Sequence, residues 1–152
     1  MPVRILIADD HEVVRQGIRT ILEARPQWDI CGEAVNGLEA VKMAKDMQPD
    51  VIIMDITMPV MSGLEATREV SKLNLNSRVL IFTMHESKSL TDSVKKTGAS
   101  GFVLKSRAAR DLIEALERLL GGGTFFQVDG APAPEKKTPL RGLLLRQALG
   151  FG

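Results

Sequence analysis

The sequence predicts an α/β fold: a doubly wound parallel sheet of five strands with helices on both faces. Three observations predict it. Five short β-branched runs recur along the chain, apolar residues at helical spacing separate them, and three of the runs are almost continuously apolar, as strands buried on both faces are. The runs are Val3–Ala8, Ile30–Val35, Val51–Met54, Val79–Phe82 and Gly101–Leu104. Strands alternating with single helices require right-handed crossovers, and hence a parallel sheet.

Each crossover has its own pattern. Val14, Ile18, Ile21 and Leu22 mark the first helix, and Ala40, Val41, Ala44 and Met47 the second. Leu64, Thr67, Val70 and Leu73 mark a weaker third, with Ser62 as N-cap and Glu65 three residues on completing a capping box. Residues 87–97 offer only Leu90 and Val94, so this is the poorest helix and is expected to be mobile. The last helix has the clearest stripe, Ala109, Leu112, Ile113, Leu116, Leu119 and Leu120, before Gly121-Gly122-Gly123 stops it.

Composition narrows the class. Hydrophobic residues at 44% and charged residues at 26% over 152 positions are ordinary globular usage, in a chain able to bury about 70% of its unfolded surface. Twenty Lys and Arg against 19 Asp and Glu leave no whole-chain field for nucleic acid or an anionic membrane. A single cysteine, Cys31, excludes an internal disulfide and a thiolate zinc site, and points to a reducing compartment. Asp9-Asp10 interrupts the N-terminus before a signal-peptide core can form, and no apolar run spans a membrane. A cytoplasmic location is expected. The expected domain covers residues 1–122. Residues 123–152 read as a linker, Asp129-Gly-Ala-Pro-Ala-Pro-Glu135, and a short basic tail that is disordered or partly helical.

In an open parallel sheet, ligands bind beyond the carboxyl ends of the strands. There strand 1 ends in Asp9-Asp10, strand 3 in Asp55, strand 4 in Thr83 and strand 5 in Lys105, whereas strand 2 ends in Val35-Asn36-Gly37. A strand contributing nothing fits the order 2-1-3-4-5, which puts strand 2 at the outside. Taken singly, each residue has a plain structural reading: Asp as a helix cap, Thr in a turn, Lys on the surface. Together, three carboxylates and one ammonium call for a divalent cation, since like charges raise one another's pKa. All-oxygen ligation favours Mg²⁺, with Mn²⁺ as second choice. Magnesium shares its ligands with phosphate oxygens, so the cluster implies phosphoryl chemistry. Asp55, alone on the central strand, is the better nucleophile, and an aspartyl phosphate its product. His11 and His85 flank the site as ordinary loop histidines. Trp28 covers a sheet edge, and Cys31 reads as a small buried hydrophobe.

The residues Ile7-Ala8-Asp9-Asp10-His11, Met54-Asp55-Ile56-Thr57-Met58-Pro59, Gly63-Leu64-Glu65-Ala66, Thr83 and Gly98-Ala-Ser-Gly-Phe-Val-Leu-Lys105 resemble bacterial response-regulator receiver domains over residues 2–122. The texture at His11, Thr83-Met84-His85-Glu86 and Gly98–Lys105 is similar to the NarL/FixJ subfamily, whose members carry a LuxR-type helix-turn-helix. The resemblance implies the flavodoxin-like (α/β)₅ fold and a phosphoacceptor, not an enzyme, served by a sensor histidine kinase. It implies phosphorylation at Asp55, Mg²⁺ held by Asp9, Asp10, Asp55 and the backbone carbonyl of Thr57, phosphoryl contacts from Thr83 and Lys105, and Phe102 as the switch aromatic. Output and homodimerisation through the helix 4–strand 5–helix 5 face are expected by the same resemblance.

Rival readings differ at named positions. A haloacid-dehalogenase-type phosphatase needs an Asp two residues after its nucleophile, where this chain has Thr57. A flavodoxin-like electron carrier needs a hydroxyl- and glycine-rich loop where this chain has Asp9-Asp10-His11-Glu12. A phosphorylation-independent interaction module is disfavoured because all five site residues are present. The tail, with Leu140, Leu143, Leu144 and Ala148 set against Arg141 and Arg146, is too short for a helix-turn-helix, so specific DNA binding is not expected of this chain. The remaining alternative is a shortened form of a DNA-binding regulator.

Overall fold

A computed structural model describes residues 2–85 and 87–126. The elements run β1 (Val3–Ala8), α1 (Glu12–Leu22), β2 (Trp28–Ala34), α2 (Gly37–Met47), β3 (Val51–Asp55), α3 (Gly63–Lys72), β4 (Arg78–Thr83), α4 (Lys88–Lys96), β5 (Gly101–Leu104), a 3₁₀ turn (Lys105–Arg107), α5 (Ala108–Leu120) and β6 (Phe125–Phe126). All strand pairs are parallel, in the order β2-β1-β3-β4-β5-β6.

The sheet separates two cores by the two-residue alternation of its strands. Ile5, Ile7, Val51, Ile53, Leu80, Phe82 and Val103 face α1 and α5, where Ile18, Leu22, Leu112, Leu116 and Leu119 meet them. Leu6, Ala8, Ile52, Met54, Val79, Ile81 and Phe102 face the other way, against Ala40, Ala44, Ala66, Val70 and Val94 of α2, α3 and α4. The five residues of β3 are all buried, as its central place requires.

Several expectations change in detail. A sixth strand extends the expected five, because Phe125–Phe126, read as linker, pair with Gly101 and Phe102. The Phe125 amide also donates to the carbonyl of Ser100 at 3.0 Å. Residues 127–152 of the expected linker and tail lie outside the described residues, as does Glu86. The segment 87–97 is better anchored than its apolar pattern indicates. Ser87 caps α4 by accepting from the Leu90 amide, Val94 is fully buried, and buried Thr91 donates its hydroxyl to the Ser87 carbonyl at 3.0 Å. Counting Thr91 as polar hid that contact. Ala109 is exposed, contrary to its place in the expected stripe, and buried Asp111 and Ala115 take the inward positions. Half of the capping box forms: Ser62 Oγ accepts from the Glu65 amide at 3.1 Å. Trp28 opens the edge strand β2, which begins two residues before the expected Ile30, and Cys31, expected to be buried, is half-buried.

Candidate functional site

Register brings the acidic residues together. Ala8 pairs with Met54, so Asp9 and Asp55 leave β1 and β3 side by side. Asp55 pairs with Phe82, which places Thr83 one residue further out, and Thr83 pairs with Leu104, directly before Lys105. Each candidate at a strand end therefore reaches one edge because its neighbour belongs to the ladder.

Asp9 and Asp55 are almost wholly buried, at 1% and 4% exposure, while Asp10 is exposed. Lys105 Nζ lies 2.9 Å from Asp9 Oδ2 and 3.2 Å from Asp55 Oδ1, and 5.9 Å from the centre of the Phe82 ring. His11 is the N-cap of α1, but its side chain caps nothing. Its amide donates to Asp9 Oδ1 at 2.9 Å, and its Nδ1 lies 3.1 Å from the same oxygen and 3.3 Å from Asp10 Oδ1. Thr83 Oγ1 accepts from the His85 amide at 3.3 Å. A cleft of about 120 Å³ opens over this group, lined by His11, Asp55, Thr57, Thr83, Met84, His85 and Lys105.

The electrostatics are unbalanced. Burial, and then the charge of Asp9, push the Asp55 carboxyl above the usual carboxylate range against the pull of Lys105. Burial by itself lowers the pKa of the Lys105 ammonium, but contact with Asp9 and Asp55 outweighs it and raises the value. Asp55 Oδ2 is buried without a hydrogen bond, and Asp9 Oδ2 is buried with only the Lys105 ammonium, at 2.9 Å, beside it. An orphaned buried acceptor such as Asp55 Oδ2 costs on the order of 1–3 kcal/mol. Asp9, Asp10, His11 and Asp55 each bring one ligand atom within 4.8 Å of the others. An unpartnered Asp55 oxygen, clustered carboxylates and a local excess of negative charge fit a hard divalent cation with oxygen ligands.

Of the expected site residues, Asp9, Asp10, Asp55, Thr83, Lys105 and Thr57 converge here. Phe102 does not: it is buried in the core against α2, α3 and α4, away from the cleft lining. His11 flanks the site as expected, but the sequence gives no sign that its ring contacts both Asp9 and Asp10, because an exposed histidine beside two carboxylates carries no spacing signal. Sequence reasoning also missed Gly63, whose Cβ position lies 1.7 Å from the carbonyl oxygen of Asp55. A glycine directly after a helix N-cap, beside the site strand, was the available hint.

Comparison with known proteins identifies the family and the fold. Residues 5–117 match the family model described as the response regulator receiver domain. Transcriptional regulatory protein DegU of Brevibacillus brevis is 38% identical over 124 residues, 82% of this chain and 52% of that protein. The chain thus spans about half the length of the curated relatives it matches. A two-component response regulator of the LuxR family from Aurantimonas sp. SI85-9A1 superposes with TM-score 0.78 at 32% identity, covering 95% of this chain and 99% of that one. The signal receiver domain of the NarL response regulator from Mycobacterium tuberculosis gives 0.76 at 30% identity, covering 80% and 98%.

Proposed function

The chain belongs to the response-regulator receiver family, with relatives in its LuxR/NarL branch, and from that premise we propose that Asp55 is its phosphoacceptor. The observation that carries this reading is a buried carboxylate with one orphaned oxygen, held 3.2 Å from a lysine ammonium at the floor of an open cleft.

Asp9, Asp10, Asp55 and the carbonyl of Thr57 would hold Mg²⁺, or Mn²⁺ in its place. When bound, the ion neutralises charge on the transferring phosphoryl group. An Asp55 oxygen attacks the phosphorus of a phosphohistidine on a sensor kinase. The O–P bond forms as the P–N bond breaks, and the histidine nitrogen leaves with the electron pair and takes a proton from solvent. Lys105 meets one phosphoryl oxygen. Because Thr83 Oγ1 already accepts from the His85 amide, its own proton is available to another. The acyl phosphate adds roughly two negative charges where charge is already in excess. Drawing Thr83 inward shifts the chain leading into α4, and Phe102 repacks beneath it. The face formed by α4, β5 and α5 thereby becomes the output and homodimer surface. Inverting a 1:99 population requires about 5.5 kcal/mol of such bias. The protein serves a two-component system as an acceptor, without substrate turnover, and its relatives make transcription the expected output. No described helix is long and apolar enough to cross a membrane, and a cytoplasmic site of action follows from the kinase partner.

Intact mass after incubation with a small phosphodonor tests the reading. One phosphoryl adduct is expected, lost on removing Mg²⁺ and lost in Asp55→Asn. An adduct that survives in Asp55→Asn overturns the assignment.

A further inference from the structure

Resting on that reading, we propose that Arg15 is a positioning residue for the metal-binding acidic pair, tying the loop between β1 and α1 to Glu33 on the edge strand. Asp9 lies one residue beyond the last paired position of β1 in both of its ladders, and although its amide still donates to the Ala34 carbonyl of β2 at 3.0 Å, no strand residue binds its carbonyl. Arg15 does. Its Nη1 donates to the Asp9 carbonyl oxygen at 2.7 Å and its Nε to Glu33 Oε1 at 2.7 Å, from a side chain only 11% exposed. A third contact, from Nη2 to Glu12 Oε1 at 3.4 Å, is longer and more exposed. A planar guanidinium with two of its donors fixed in this way is a rigid bracket, which a lysine point charge reproduces only in part. It links the ligand-bearing loop to α1 and, through Glu33, to β2. This gives β2, which supplies no group to the cleft, a part in the site.

Arg19 provides an internal control. It binds the other oxygen of Glu33 and also Gln16 Oε1, and among the described residues it makes no contact with the acidic loop. Arg15 and Arg19 therefore share an ion-pair partner and differ in whether they hold Asp9. If Arg15 matters only as an ion pair that supports the fold, the two substitutions have the same effect.

The test uses the full chain as wild type, Arg15→Met, Arg15→Lys and Arg19→Met. Mg²⁺ affinity is read by calorimetry, adduct formation by mass at limiting and saturating Mg²⁺, and loop order by hydrogen exchange at the His11 amide in metal-free protein. That amide donates to Asp9 Oδ1 and so reports the loop directly. Arg15→Met is expected to weaken Mg²⁺ about tenfold, as loss of an outer-shell partner does. It should lose adduct at limiting Mg²⁺, recover it at saturation, and exchange the His11 amide faster. Arg15→Lys is expected to recover part of each loss, and Arg19→Met to match wild type in all three. Equal effects from Arg15→Met and Arg19→Met, or unchanged His11 protection in Arg15→Met, overturn the proposal. A wild-type chain that takes up no Mg²⁺ defeats the functional reading instead, and the His11 amide then decides whether Arg15 holds the loop.

Discussion

Gly63 is where fold and site press hardest on each other, and Gly63→Ala is the perturbation that exposes it. The added Cβ would lie 1.7 Å from the Asp55 carbonyl oxygen, 2.7 Å from its carbon and 3.0 Å from Ile56 Cα. All three are backbone atoms, so no side chain can swing aside. Restoring ordinary contact at 3.4 Å requires α3 to retreat by about 1.7 Å, or the peptide after Asp55 to rotate. Either movement stretches the bond from the Gly63 amide to the Ile56 carbonyl, now 2.8 Å, worth about 1 kcal/mol. Overpacking adds roughly 1–3 kcal/mol, and the better helix propensity of alanine returns at most about 1 kcal/mol. A net loss of about 1–3 kcal/mol lowers the Tm of a domain this size by roughly 4–12 °C. Gly17→Ala is the control, because no atom lies within 4 Å of its Cβ position on exposed α1. There the propensity gain stands alone and raises Tm by about 3–4 °C. Calorimetric melting of both variants, with phosphoryl uptake measured below their transitions, is the assay. Gly63→Ala melting with wild type, or both variants shifting in the same direction, would refute the steric argument.

Other perturbations follow from the same geometry. The folded pKa of Asp55 is raised, so its contribution to stability is present below the usual carboxylate pKa and lost as pH rises through the raised value. Asp55→Asn should therefore melt higher than metal-free wild type at neutral pH and show a flatter pH dependence, checked by melting without Mg²⁺. Burial favours protonated Glu33, but the hydrogen bonds and charges of Arg19 and Arg15 outweigh it and leave its pKa below the usual value. Its contribution is present above the unfolded pKa and lost as pH falls through the folded one. Glu33→Gln is expected to cost about 1 kcal/mol at neutral pH and nothing in strong acid, as read from urea midpoints across pH. Phe102→Ala removes a wholly buried ring and should cost about 3–5 kcal/mol in the unphosphorylated protein, read by urea unfolding.

The legible parts of this protein are those in which one residue type has one physical use. Near-continuous apolar runs such as Val51–Met54 have no other home than a central parallel strand, and strand ends in such a sheet share one edge, so Asp9, Asp55, Thr83 and Lys105 could be brought together from spacing alone. What escaped depends on backbone proximity or on few residues. Phe125–Phe126 is too short to carry a period, and only the Gly101 and Phe102 backbones give it a partner. Thr91 stabilises α4 through a hydroxyl-to-carbonyl bond that hydrophobicity counts the wrong way. Arg15 and Glu33 stand 18 positions apart, on elements whose contact follows from crossover geometry and not from any motif.

The site is built against stability, and its chemistry explains why. Asp55 Oδ2 is buried without a hydrogen bond, and Asp9 Oδ2 with only the Lys105 ammonium beside it, in a fold that satisfies its other buried side-chain polar atoms among the described residues. One ammonium serves two carboxylates, and a third stands beside them in the open. An amide at position 55 would suit the apoprotein better, since it removes a like charge and keeps the shape. What an amide cannot do is attack phosphorus, the role proposed above for Asp55. The strain is tolerable because it is confined to one sheet edge, with an apolar core on each face of the sheet beneath it. It is useful because whatever enters the cleft, cation or phosphoryl group, meets acceptors and donors that the protein leaves partly unpaired. Ligand-free stability and readiness to bind thus oppose each other at Asp55, and a variant gaining the first should lose the second.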